Sequence, residues 1–303
     1  MLDRLRSWRR SHGGEGRRPP AAARTRDDVR ALALEEGLNA DSADAVTATA
    51  LPSLRLRPTA GRRDHFETRL GGPPLLPVPE PWPRVDGRPL AHVGQIYLPD
   101  VGAEGASLGL PTHGILTFFY DASEQPWGFD PADRGSWRVD WRTDLEGLSI
   151  PERPSELHQR DRFTAVPMQP ELEWTVPGFD AYERDDLSFA PEDLERVQAV
   201  EDRLTGELPA HRVLGHPDLI QSEMRLECEL VSRGIYFGGD RGEPVVPPDA
   251  ERAAREWRLL LQVDSDGDVG TEWGDVGRIY FWIRAADLEA RDFSRVHLSL
   301  QCF

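Results

Sequence analysis

The spacing of apolar and polar positions changes several times along the chain, and each change predicts an element. Thr25 followed by Asp28 three residues later forms a capping-box pattern, and Gly37 supplies a stop, so a helix is expected between them. A second helix is expected from Ser42 to Leu51, closed by Pro52. The period then shortens to two at Leu54-Arg55-Leu56-Arg57. From there to residue 176 the pattern predicts strands between Pro/Gly loops, over His92–Leu98, Gly114–Asp121, Ser136–Arg142 and a broken run from Phe163 to Val176. Pro191–Leu204 reads as a helix: Pro191, Glu192 and Asp193 suit a first turn, Leu194, Val197 and Leu204 share a face, and Gly206 ends it. Strands are expected again over Met224–Leu230, Arg258–Asp264 and Gly277–Arg284, then a short helix at Ala286–Arg291 and a last strand at Val296–Phe303. The class implied is α+β: a strand-rich single domain of mostly antiparallel sheets with a few peripheral helices.

The two halves of this pattern match. Leu70-Gly-Gly-Pro-Pro-Leu-Leu-Pro, Val93-Gly-Gln95-Ile96 and Gly114-Ile-Leu-Thr-Phe-Phe119 are followed, in the same order, by Leu214-Gly-His-Pro-Asp-Leu-Ile-Gln, Leu260-Leu-Gln262-Val263 and Gly277-Arg-Ile-Tyr-Phe-Trp282. The offsets are 144, 167 and 163 residues, so only loop lengths differ. The expectation is two related repeats, about 54–176 and about 211–303, joined by a helical segment at about 186–206. A unit of this size cannot cover its own apolar face, and the cleft between two such units is a natural ligand location. Gln95 and Gln262 fall at matching positions. They either project amides into that cleft or satisfy buried backbone groups.

Composition sharpens this outline. The 303 residues hold nine Trp, eleven Phe and five Tyr, enough aromatic bulk for a sizeable core. No apolar run is long enough to span a bilayer or to form a secretory signal, so a cytoplasmic location is expected. Cys228 and Cys302 are too few for a disulfide framework and are expected as buried thiols in strands. The net charge is −17, and it is uneven. Residues 1–26 carry eight Arg against Asp3 and Glu15, leaving −23 on the remainder. Residues 1–24, rich in Arg, Gly, Pro and Ala, are expected to be a disordered tail, with the folded domain over 25–303. An acidic body repels nucleic acid and favours cationic partners or divalent ions.

Three segments offer chemistry. Asp264-Ser-Asp266-Gly-Asp268 through Trp273-Gly-Asp275 places carboxylates at alternate positions after a strand. Asp264, Asp266 and Asp275 could surround Ca²⁺ or Mg²⁺, or the segment is a solvated hairpin loop, since Val269 stands where a calcium loop needs Gly. Pro126-Trp127-Gly-Phe129-Asp130, with Arg134, mixes aromatics and charge between two strands. Trp127, Asp130 and Arg134 either anchor a partner or pin the loop to the core. Gly105-Ala-Ser107-Leu-Gly109 spells the nucleophile-elbow pattern, but it is expected as a surface loop without the strand before and helix after that the chemistry requires. The eight His show no zinc spacing, and no dinucleotide or phosphate-loop motif occurs, so no cofactor is expected beyond a possible divalent cation.

The order of Leu70-Gly-Gly-Pro-Pro, Gln95-Ile96, Gly114 to Asp121, Pro126-Trp-Gly-Phe-Asp130, Leu214-Gly-His-Pro-Asp, Trp257 to Asp266, Trp273-Gly-Asp275 and Tyr280-Phe-Trp282-Ile283 resembles the YwqG-like family. The resemblance runs from about residue 26 to the C-terminus. It implies a bacterial cytoplasmic protein with a two-repeat fold, and it carries over no catalytic residues. The function expected is binding of a protein or small ligand through an acidic face or the inter-repeat cleft, with Gln95, Trp127, Asp130, Arg134, Gln262 and Trp273 as candidate contacts. The alternative is a metal-dependent enzyme built on Asp264, Asp266 and Asp275.

Overall fold

The computed structural model describes residues 23–62, 65–178, 181 and 189–303. Most of the tail expected over 1–24 lies outside the described residues. Its last two positions belong to the fold: Ala23 is buried, and its carbonyl accepts from the Trp174 N–H at 2.9 Å. Helix α1 (Arg26–Glu35) starts on the capping box read from the sequence, with Thr25 Oγ1 accepting from Asp28 N–H at 3.1 Å and the Asp28 carboxylate accepting from Thr25 N–H at 2.9 Å. Helix α2 (Ala40–Thr49) begins two residues earlier than expected because the Asn39 side chain caps it through Ser42 N–H.

Among the described residues, fourteen strands follow in chain order. They are β1 (Leu51–Pro58), β2 (Arg69–Leu70), β3 (Leu76–Pro77), β4 (Arg84–Val85), β5 (Arg88–Pro89), β6 (Ala91–Tyr97), β7 (Ile115–Tyr120) and β8 (Trp137–Arg142), then β9 (Leu148–Ser149), β10 (Val166–Thr175), β11 (Arg212–Val213), β12 (Trp257–Asp264), β13 (Arg278–Arg284) and β14 (His297–Gln301). Ten of them form one sheet in the order β14-β13-β12-β11-β1-β10-β2-β6-β7-β8, and every pairing in it is antiparallel. Two four-stranded runs thus flank the central β1–β10 pair. The register shifts between His92 and Gly94 where β6 meets β7, and between Leu259 and Leu261 where β12 meets β13. Such bulges bend and twist a sheet. The sheet curls until its edges approach, and the indole of Trp137, the first residue of β8, donates to Val296 O, just before β14, at 2.8 Å. Near-closure protects both edge strands from pairing elsewhere.

The concave face holds the main core. Leu54, Leu56, Leu116, Phe118, Ile279, Phe281 and Leu298 are buried there, and Phe118 meets Phe281 edge-on at 5.1 Å. Helices cover parts of the convex face. α1, α2 and α4 (Leu194–Thr205) pack through Val29, Leu32, Val46, Val197 and Val200. α5 (Arg225–Ser232) places Cys228 beside Trp257, Tyr280 and Trp282. Among the described residues, no helix is long and apolar enough to cross a membrane.

Two expectations are corrected. Met224–Leu230 is not a strand. Leu226 and Leu230 stand one helical turn apart and are both buried in α5, and the alternating Glu residues misled the reading because Glu229 is itself buried and paired. Cys228 therefore lies in a helix, and Cys302 lies just past β14, though both thiols are buried. The segment before Ser107 is helix α3 (Leu98–Ser107), kinked at Gly102, and not a loop. Its apolar side buries Leu98, Val101 and Gly105, and Ser107 Oγ donates back to Glu104 O at 2.7 Å, so no nucleophile elbow exists. Two further short helices are α6 (Ala250–Ala254) and α7 (Ala285–Glu289).

Candidate functional site

The residues singled out by sequence separate into two environments. Gln262, Asp264 and Asp266 belong to a buried polar network on the convex face. The Gln262 amide donates to Ala210 O at 2.6 Å and to Asp218 Oδ2 at 2.9 Å, and its oxygen accepts from Asp218 N–H at 2.9 Å. Arg212 pairs with Asp218 at 2.8 Å and lies 3.5 Å from Glu173. Tyr280 and Arg278 donate to Asp218 O at 2.7 and 2.8 Å. The Arg212 and Arg278 guanidiniums hold the Asp218 carboxyl below the usual range although burial alone would raise it. Asp264 pairs with Arg278 and accepts from Ala210 N–H. His211 Nδ1 accepts from Asp264 N–H at 3.1 Å, which leaves Nε2 to donate to Asp266 at 2.9 Å and lower that carboxyl.

These contacts revise the acidic segment. Asp264 and Asp266 are buried and engaged, whereas Asp275 is exposed on the far turn. Among the described residues, no group of three His, Cys, Asp or Glu side chains is placed to hold a metal ion. The segment is a hairpin closed by an antiparallel Asp266–Thr271 bridge, with Asp268, Glu272 and Asp275 exposed on it, but its Val269, Thr271 and Trp273 are buried in the fold. Trp273 is fully covered, edge-on to Tyr120 at 5.7 Å and to Phe163 at 5.5 Å, so it is a core residue and no ligand contact. Gln95 is likewise buried, its amide donating to Glu67 O at 2.8 Å and His65 O at 3.1 Å. Neither glutamine projects into an open cleft.

Trp127 and Asp130 do line an open groove of about 660 Å³. One wall is the loop between β7 and β8. Gly128, at φ 91°, lies so close to β14 that a Cβ there would sit 1.9 Å from Leu298 O. Leu300 N–H donates to Trp127 O at 2.9 Å, and the Tyr120 hydroxyl holds Pro126 O at 2.9 Å. Asp130 caps the short turn that follows by accepting from Ala132 N–H at 2.9 Å. Arg134 is exposed beyond that turn and does not line the groove.

The other wall is the stretch after α5. Phe237 N–H donates to Phe129 O at 2.9 Å, and the Tyr236 ring stands edge-on to Phe129 at 5.8 Å. Trp127 lies 6.3 Å from Phe129, so three rings run along the groove. Trp127 is 38 % exposed. Gln301 and Ser222 lie at the base, with the Gln301 amide donating to Ser222 O at 2.6 Å. Glu124, Asp130, Asp133, Glu227 and Asp240 supply carboxylates. Burial and the nearby Glu223 carboxylate push Glu227 up to about 7, although Ser299 Oγ donates to it at 2.7 Å. Burial also raises Asp133, and the hydrogen bond to Asp240 raises the Tyr236 phenol.

Arg241 sits in this setting with its guanidinium 3.9 Å from the Tyr236 ring centroid and 3.2 Å from Asp130 Oδ2. Sequence reasoning found half of this groove. Tyr236, Asp240, Arg241 and Glu227 were missed. The only local signal was an aromatic pair running into Gly238-Gly239-Asp240-Arg241-Gly242, a loop composition with no periodicity.

The fold is strand-rich, a near-closed antiparallel sheet with several helices, and a charged aromatic groove lies at its seam. The chain belongs to the family described as Domain of unknown function (DUF1963), which matches residues 68–302. No curated protein matches the chain.

Proposed function

We propose that this protein binds a basic segment of a partner protein in the groove between the 124–133 loop and the 236–241 stretch. The observation that carries the reading is the joint presence of three clustered rings, one pair tilted and one edge-on, and five acidic side chains along one open groove. Aromatic faces and carboxylates together favour guanidinium or ammonium groups over neutral or anionic ones. The net charge of −17 adds long-range attraction of a cationic partner. The alternative of a metal-dependent enzyme has less support, because Asp264 and Asp266 already pair with Arg278 and His211. A cytoplasmic, YwqG-like bacterial protein remains part of the proposal, on the motif order of the sequence.

The same reading treats the two four-stranded runs as related repeats. Arg69 pairs across the sheet with Gln95 as Arg212 does with Gln262. Each arginine donates to the carbonyl four residues on, Pro73 at 2.6 Å and His216 at 3.2 Å. Each glutamine amide holds a matching carbonyl, Glu67 or Ala210. Gly71-Gly72 and Leu214-Gly215 share positive φ, and the bulges at His92/Gly94 and Leu259/Leu261 fall at the same step. On this alignment Leu70 corresponds to Val213, one position from the match that sequence alone suggests. The groove then lies where the far edges of the repeats meet.

The test is isothermal titration of the full chain with an amidated peptide of alternating glycine and arginine, against the same peptide carrying citrulline. Saturable binding of the arginine peptide alone, weakened by salt and by Trp127→Ala or Asp130→Asn, is expected. Equal response to both peptides, or none to either, overturns the reading.

A further inference from the structure

We propose that the position between the Tyr236 ring and Asp130 is a seat for a partner's arginine side chain, and that Arg241 occupies it as a built-in competitor. The inference rests on the groove reading above and adds which side chain is read and what must leave first.

The geometry of Arg241 is that of a bound guanidinium. Its Cζ lies 3.9 Å over the Tyr236 ring, within the range in which a cation feels the ring's negative face. Its Nη2 reaches Asp130 Oδ2 at 3.2 Å from the opposite wall. The Tyr236 hydroxyl is held by Asp240 and Phe129 stands edge-on at 5.8 Å, so the ring is braced on both sides. A planar cation stacked on one face and paired at its edge fits arginine better than lysine, whose ammonium has no plane to stack.

Arg241 itself is weakly held. Its side chain is 63 % exposed, and an exposed ion pair contributes little. Gly238, Gly239 and Gly242 surround it in sequence, and Gly242 adopts φ 89°. Beyond its chain neighbours, nothing lies within 4 Å of where a Cβ would stand on Gly239 or Gly242, whereas Gly238 packs closely on the Tyr236 ring, so the open space is on the Arg241 side of the turn. The groove continues beyond the seat, past Phe129 to Trp127. A seat filled by Arg241 about nine-tenths of the time would weaken partner binding about tenfold.

The experiment compares wild type with Arg241→Ala by titration with the glycine–arginine peptide, and then titrates Arg241→Ala with L-argininamide while following Trp127 and Tyr236 by fluorescence or NMR. Arg241→Ala is expected to bind the peptide about tenfold tighter, which is about 1.4 kcal/mol. It is also expected to take up argininamide saturably and about tenfold more tightly than wild type, a gain that adding Asp130→Asn removes. If wild type binds the peptide but Arg241→Ala binds no tighter, or fails to take up argininamide, the seat assignment is overturned while the groove reading stands. If neither protein binds the peptide, the groove reading fails and takes this inference with it.

Discussion

Replacing Glu227 with Gln should stabilise the protein above neutral pH and leave it unchanged in acid. Glu227 sits on α5 at the edge of the groove, half-buried, with Ser299 Oγ donating to it at 2.7 Å. Burial first, and the Glu223 carboxylate second, hold its carboxyl at about 7 against an ordinary value of 4.5. The folded protein therefore keeps a proton that the unfolded chain gives up as pH rises from about 4.5 to about 7, and unfolding releases it across that window. Stability falls through the window, and above it the folded state bears the full penalty of a desolvated carboxylate. The difference between the two values corresponds to about 3 kcal/mol, an upper figure for a half-buried group. Glutamine keeps an oxygen for Ser299 and cannot ionise. Urea unfolding of wild type and Glu227→Gln at pH 4.5, 6, 7 and 8 should give near-coincident stabilities at the lowest pH and a gap that opens with pH to at most about 3 kcal/mol at the highest. A gap independent of pH, or a variant less stable than wild type at pH 8, would refute the reasoning.

Asp218→Ala should be among the most damaging single changes. It leaves Arg212 buried without its nearest carboxylate and removes one of the two acceptors of the Gln262 amide, with an expected loss of about 3–5 kcal/mol in urea unfolding. Gly128→Ala should displace the 124–133 wall, because a Cβ there meets Leu298 O at 1.9 Å and the backbone is held at φ 91°. Reduced peptide binding at nearly native fold content, read by titration and circular dichroism, is the expected signature. Thermal unfolding with graded Ca²⁺ or Mg²⁺ should show no saturable shift. A shift removed by Asp264→Ala would mean that the Arg278 pair opens to admit a cation.

Much of the scaffold was legible in short windows of sequence, because its causes are local. The Thr25–Asp28 box, the continuous apolar runs around Leu116 and Phe281 and the stop at Gly206 each depend on neighbours within a turn or two. Elsewhere a distant contact reverses the local preference. Arg55 looks solvent-facing by alternation yet is 2 % exposed, since the Thr205 and Glu207 carbonyls accept its donors and Glu173 lies 3.9 Å away. Glu229 made a helix look like a strand because Trp257 and Arg284 satisfy it inside the fold.

The candidate site shows the same division. Trp127 and Asp130 stood out as aromatic and acidic residues in a loop, but nothing near them in sequence announces Tyr236 or Arg241, more than a hundred positions away. Curling of the sheet brings β8 up to β14, lays Gly128 on Leu298 and carries the 236–241 stretch opposite Asp130. Periodicity and capping record interactions between neighbours along the chain. The groove exists only once the sheet has nearly closed, and the angle at which its edges meet is set by twist, bulges and packing summed over all ten strands.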